Sequence, residues 1–259
     1  SRGRGPVSMR LAGQLARQVG HRLLPGFFLA RGADDSERLI RAALLHIQAA
    51  QSYMFTGDAT TGALSALYAL NIAEKATPSP ALAYSYAATA LAAALTGRKG
   101  MSDYYLTLAE KTLDTTQDTG RIQVRGMAVH AAAVSRIGLG YLYKARKNAE
   151  EALKIFDEIG DQRRWNEAIA NVALISTLQG DLREGLELRQ RLLEGAHRSG
   201  MRRGELWALA GMGQLAMNMG QVDESLKHFQ QRADLIKVIA ADDDAYTSAP
   251  YLAVAYLRQ

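Results

Sequence analysis

Apolar positions recur at helical spacing in short runs along most of the chain, and the runs come in pairs. "AIANVALISTLQ" (168–179) and "LWALAGMGQLAMNM" (206–219) each end at a glycine and are followed by a second run, "LREGLELRQRLLEGA" or "VDESLKHFQQRADLI". Apolar residues at a period near 3.6 predict amphipathic helices, and a glycine between two such runs predicts a helical hairpin. The junction "STLQGDLREG" (176–185) is one of five: Gly180 has counterparts at Gly57, Gly97, Gly140 and Gly220, at intervals of 40, 43, 40 and 40 residues. Seven residues before each glycine stands a small residue (Ala50, Ala90, Ala133, Ala173, Gly213). Five residues after each stands another (Gly62, Ser102, Ala145, Gly185, Ser225). Internal repetition at this period predicts a stack of helical hairpins.

Each position has a physical reading. The glycine accepts the left-handed conformation that ends a helix. Asp58, Asp181 and Asp223 fall near the start of the following helix, where a carboxylate meets the positive end of the dipole. The paired small residues let two antiparallel helices approach closely. The last stretch, "YTSAPYLAVAYLRQ" (246–259), fits the same register with Ala253 as the small residue. It predicts the first helix of a sixth repeat, which serves as a cap. The next turn glycine would fall just past Gln259, so the chain is expected to be part of a longer protein.

The unit resembles the tetratricopeptide repeat, a helix–turn–helix with small residues at the contacts of both helices, from about Ser36 to Gln259. Here it takes a form of about 40 residues rather than 34. The bulky residue three positions past the first small site is present as Tyr53, but Ala93, Arg136, Ser176 and Ala216 replace it in later copies. The resemblance implies an all-α, right-handed superhelical solenoid over residues 35–259, with five hairpins and a terminal helix. It further implies a non-catalytic module that binds a protein or peptide on the concave face lined by the first helix of each repeat.

Residues 1–34 do not repeat. Leu11, Leu15, Val19 and Leu23 fall on one helical face, with Arg10, Arg17 and His21 elsewhere, and Pro25–Gly26 ends the pattern. This predicts a basic amphipathic lead helix capping the first repeat; the alternatives are a membrane-surface helix, disorder or contact with an upstream domain. Together with "ALYALNIAEKATPSPALAYSYA" (66–87), this segment is similar to the C-terminal region of bacterial signalling proteins that join a nucleotidyl-cyclase or kinase domain and an ATPase to helical repeats. That resemblance implies a peptide or small-molecule sensor for an upstream catalytic domain of the same polypeptide.

Composition narrows the chemistry. The 259 residues are 48% hydrophobic and 22% charged, with five prolines and no cysteine; thiolate metal sites and disulfides are excluded, and a cytoplasmic location is expected. No secretory leader is evident, and the most apolar stretch, 81–97, is shorter than the ~20 residues a membrane-spanning helix needs. The net charge of +5 is concentrated in Arg2, Arg4, Arg10, Arg17, Arg22 and Arg31, with no acid before residue 32, so no basic stripe for nucleic acid is expected. No glycine-rich loop precedes a Lys-Ser or Lys-Thr. "GMGQLA" (211–216) matches a dinucleotide fingerprint only in letters, because it lies inside a predicted helix with no strand before it. The five histidines (21, 46, 130, 197, 228) are scattered, without the i, i+4 pair of a helical metal site. No cofactor, metal or catalytic residue is expected. The groove candidates, one turn either side of the small sites, are Tyr84, His130, Asn171, Trp207, Gln214 and Asn218. Asn171, Trp207, Gln214 and Asn218 are expected to be the most exposed, because amides on an inner helix are costly if buried unpaired and useful to a peptide backbone.

Overall fold

The structure, a computed structural model, describes residues 4–24, 27, 35–55, 57–116 and 121–239. Every regular element among them is a helix. In chain order these are α1 (Arg4–Leu23), α2 (Ser36–Phe55), α3 (Ala59–Ala73), α4 (Pro80–Leu95), α5 (Lys99–Thr115), α6 (Ile122–Gly138), α7 (Leu142–Glu158), α8 (Gln162–Leu178), α9 (Leu182–Ser199), α10 (Arg202–Asn218) and α11 (Val222–Ile239). They form two units, Ser1–Gly140 with α1–α6 and Tyr141–Gln259 with α7–α11. In the first unit α2 pairs with α3 and α4 with α5; in the second α8 pairs with α9 and α10 with α11. First helices also meet one another: α2 packs on α4, α4 on α6, and α8 on α10. The terminal helix expected around Ala253 lies outside the described residues.

The five turn glycines all adopt positive φ, from 72° at Gly97 to 88° at Gly180. A residue with a Cβ would pay about 1–2 kcal/mol there. After Gly57, Gly97, Gly180 and Gly220 the next amide reaches back to close the helix end, as from Asp58 to Tyr53 O and from Asp181 to Ser176 O, both at 2.9 Å. Asp58 and Asp181 then cap the following helix, accepting from the amides of Thr61 and Glu184. Asp223 instead sits within the first turn of α11. Gly160 and Gly200 also have positive φ, and they end second helices. From Gly140 to Gly220 a left-handed glycine therefore closes the helices α6 to α10 at 20-residue steps, finer than the 40-residue period read from the hairpins. In the first unit the step from α3 to α4 is made differently, with Ser79 accepting from the Leu82 amide and Pro80 opening the helix.

The small residues on either side of the turns meet as expected. Ser102 donates to the carbonyl of Ala90, and Ser225 to that of Gly213, each at 2.9 Å. A Cβ on Gly185 would lie 3.0 Å from Thr177 Oγ1 and 3.6 Å from Ala173 O. Side chain thus touches facing backbone, and Ala90 and Ala173 are fully buried at these contacts.

The lead helix docks the opposite way from the hydrophobic reading. Leu15, Val19 and Leu23 are 44%, 56% and 73% exposed, whereas Gln14, Gln18 and His21 are buried. Its helix partner among the described residues is α3, the second helix of the first hairpin. The reason lies on α3. Glu74, just past its end, is a buried carboxylate, and a buried charge without donors costs several kcal/mol, more than leaving a few aliphatic side chains in water. The polar face of α1 supplies those donors.

Gly213 and Gly13 offer a direct test of close packing. A Cβ on Gly213 would lie 2.9 Å from the Phe229 ring, whereas one on Gly13 meets nothing within 4 Å. Gly213→Ala is expected to lower stability by about 1–3 kcal/mol through overpacking. Gly13→Ala is expected to raise it by about 0.5–1 kcal/mol through helix propensity. Urea unfolding of the two variants beside the parent checks both signs.

Candidate functional site

Two regions gather chemistry, one in each unit. In the second unit α8 and α10 lie side by side and leave matching positions open. Nine, six and two residues before their turn glycines stand Asn171, Leu174 and Leu178 on α8, and Gly211, Gln214 and Asn218 on α10. All are half-buried except Leu178 and Asn218, which are exposed. Between these positions Val172, Ala173, Ile175, Met212, Gly213 and Leu215 turn inward. Gln214 donates to Asn218 Oδ1 at 3.1 Å, so two of the anticipated amides form one patch. Trp207, one turn earlier on α10, is half-buried, and its carbonyl accepts from Arg189 Nη1 at 3.3 Å. The stripe is thus mixed, with aliphatic ends at α8 and amides at α10.

Arg189 was not among the residues singled out from the sequence. It is 9% exposed on α9, and burial pushes its pKa down to about 10. The two glycines of "GMGQLA" are explained by packing: Gly211 lies against the Arg189 guanidinium and Gly213 against Phe229.

The first unit holds the other two anticipated residues. His130 is half-buried on α6. Tyr84 does not line an open surface: it is 3% exposed, and its hydroxyl accepts from Gln51 of α2. Tyr84 lies six residues before the small site Ala90, on the side of α4 that meets α2, so packing between first helices encloses it.

The stronger cluster of this unit surrounds Glu74. His21 Nδ1–H donates to Oε2 at 2.6 Å, Gln18 Nε2 donates to the same oxygen at 2.8 Å, and Arg22 pairs with Oε1. Gln18 also donates to Asn71 at 2.8 Å, Asn71 donates to Gln14 Oε1 at 2.8 Å, and the Tyr105 hydroxyl donates to Gln18 Oε1 at 3.0 Å. The Arg22 guanidinium stands over the rings of Tyr86, Tyr104 and Tyr105 at 5.9, 5.6 and 5.5 Å. Burial opposes its charge, but Glu74 and Tyr105 beside it together outweigh that and raise its pKa. Burial, with Glu74 next in effect, raises the Tyr86 phenol. The cluster is a neutralised tie between α1 and the hairpins. Sequence reading missed it because Glu74 and its donors are more than fifty residues apart.

Among the described residues no group of three or more histidines or carboxylates is placed to hold a metal ion. No described helix is long and apolar enough to cross a membrane.

Known proteins agree on the fold. No family profile matches the sequence, and no curated protein matches it. Among solved structures, the chain is similar to a signal transduction ATPase with numerous domains (STAND) protein with a tetratricopeptide repeat sensor from Pyrococcus horikoshii, with a TM-score of 0.67 at 15% identity. The match covers 83% of this chain and 32% of that one, so this chain spans about a third of that protein's length. The fold is therefore all-α and tetratricopeptide-like, with successive helices packed in order.

Glu74 is the residue on which the α1 contact depends. Glu74→Ala is expected to cost about 3–5 kcal/mol, because it leaves His21, Arg22 and Gln18 without their acceptor. It should also expose α1 to trypsin at Arg10 and Arg17. Tyr105→Phe, which removes one hydrogen bond, is expected to cost about 1 kcal/mol. Thermal unfolding and limited proteolysis measure the two effects side by side.

Proposed function

We propose that this chain is a non-catalytic binding and regulatory module, whose working surface in the second unit is the stripe along α8 and α10. The observation that carries this reading is the pairing of positions left open on the two helices, Leu174 with Gln214 and Leu178 with Asn218. Adjacent helices offering matched half-open rows suit an extended peptide or an amphipathic helix laid across them. Aliphatic ends would take apolar side chains. The amides of Asn171, Gln214 and Asn218 would meet backbone groups of the ligand. His130 is the one anticipated residue of the first unit that keeps some exposure, and we assign it to a binding role there; Tyr84 serves as support between α2 and α4.

A second reading has its own support. The solved relative is described as an ATPase with a tetratricopeptide repeat sensor, and the present chain corresponds to only part of such a length. By analogy of fold alone, the module senses a peptide or small molecule and controls an ATPase or nucleotidyl cyclase attached to it. The five-hairpin division over 35–259, preceded by a separate lead segment over 1–34, belongs to this reading.

Selection of peptides from a random library against the chain, followed by amide hydrogen exchange, tests the surface. Bound peptides should protect α8 and α10, and Trp207→Ala or Asn171→Ala should weaken them about tenfold, or about 1.4 kcal/mol, with the unfolding midpoint held. Protection confined to α9 and α11, or failure to select any sequence-dependent binder, counts against the stripe.

A further inference from the structure

An arginine occupies a core position that other repeats fill with apolar side chains. Nine residues after the turn glycines stand Ala66, Leu106, Ala149, Arg189 and Phe229. Leu106, Ala149 and Phe229 are 4%, 0% and 1% exposed, and Arg189 is enclosed nearly as well, at 9%. The facing helix is altered to match. Nine residues before the turn glycines stand Gln48, Ala88, Ala131, Asn171 and Gly211, so the copy opposite Arg189 is the one without a side chain. A Cβ on Gly211 would lie 2.3 Å from Arg189 Nε and 2.6 Å from Cζ. The guanidinium occupies the room that this glycine leaves.

Among the described residues nothing neutralises that charge. Nη1 donates to Trp207 O. Nε is enclosed with no acceptor. Nη2 is not enclosed and has no protein partner. Burial alone accounts for the lowered pKa; no carboxylate contributes. Arg136, which is buried, pairs with Glu110, and Arg22, which is half-buried, pairs with Glu74; the Nε atoms of Arg22 and of the buried Arg232 are enclosed without an acceptor, as that of Arg189 is. A buried charge without a counter-ion is destabilising, and the apolar copies show that the fold does not require one at this position. A local rule broken with a compensating change opposite it marks a functional position rather than a packing one. The Nη2 side is the one an oxyanion can reach, and a guanidinium N–H there donates a charge-assisted hydrogen bond to a carboxylate or phosphate.

We propose that Arg189 reads the charge of an oxyanion, a carboxylate or phosphate, that enters from the solvent side of Nη2 at the α9–α10 junction beside Trp207. The site deepens the binding role proposed above and rests on that reading only where the oxyanion is carried by a peptide.

The experiment compares the parent chain with Arg189→Leu. In matched ionic strength, sodium phosphate and sodium succinate should raise the parent's unfolding midpoint by about 2–4 °C over chloride. They should also shift its Arg189 Nε–H resonance, and do neither in Arg189→Leu. Without added anion, Arg189→Leu should be at least as stable as the parent. In selected peptides, replacing Asp or Glu by the amide should weaken binding to the parent at least tenfold and leave binding to Arg189→Leu unchanged; this assigns the oxyanion to a peptide. A response to phosphate or succinate alone assigns it to a small molecule. The site is overturned if no anion moves the midpoint or the resonance and no peptide requires an acid, or if the response persists in Arg189→Leu. It is also overturned if Arg189→Leu falls well below the parent in stability, which would make Arg189 a structural tie to the Trp207 carbonyl. Peptides that protect α8 and α10 without needing an acid, together with no response to phosphate or succinate, would overturn the anion site and leave the binding surface standing.

Discussion

The closest contact in this fold, the approach of two helices at their small residues, is the constraint from which the rest follows. Where Ser102 reaches the carbonyl of Ala90 and Ser225 that of Gly213, the second helix of a hairpin lies against the backbone of the first. Such an approach fixes which faces are spent on internal packing. Ala173, Ile175 and Val172 on α8 go inward, and what remains available is the narrow row at Asn171, Leu174 and Leu178. The left-handed glycines serve the same geometry, since they close each helix within one residue and bring the next back at once. Function, in this arrangement, is written on the positions that close packing leaves over.

Much of this was legible because it is local and repeated. Gly57, Gly97, Gly140, Gly180 and Gly220 announce helix ends by a backbone requirement that belongs to the residue itself, and the small partners lie at constant offsets from them. Gly160 and Gly200 carried the same signal but appear only in the later repeats; the step into α4 uses Ser79 and Pro80 instead, so a search for one period passes over them. Exposure was harder to read. Asn218 is exposed, Asn171, Trp207 and Gln214 are half-buried like His130, and Tyr84 is enclosed. Whether a first-helix residue faces solvent or the neighbouring first helix depends on how successive hairpins pack, which no single repeat encodes.

The lead helix shows a different limit. Periodicity identifies Leu11, Leu15, Val19 and Leu23 as an apolar face and assigns that face to the interior. The actual choice is made by Glu74, far along the chain, whose enclosed carboxylate needs His21, Gln18 and Arg22. Hydrophobic burial is additive and modest per side chain, whereas leaving a buried charge unpaired is a single large penalty. One such group can therefore turn a whole helix over.

Arg22 and Arg189 apply that same rule with opposite results. Around Arg22 the chain assembles a carboxylate, a glutamine and three tyrosine rings, so its charge is paired within the protein even though its Nε is enclosed without an acceptor. Around Arg189 the described residues place a carbonyl and a cleared glycine. Had the chain required a fastening between α9 and α10, the apolar residue used at this position in other repeats would supply it without the desolvation of a guanidinium. Among the described residues this charge has no counter-ion, and it lies near the surface left open by packing. Stability alone does not explain that choice; a ligand that brings the missing negative charge does.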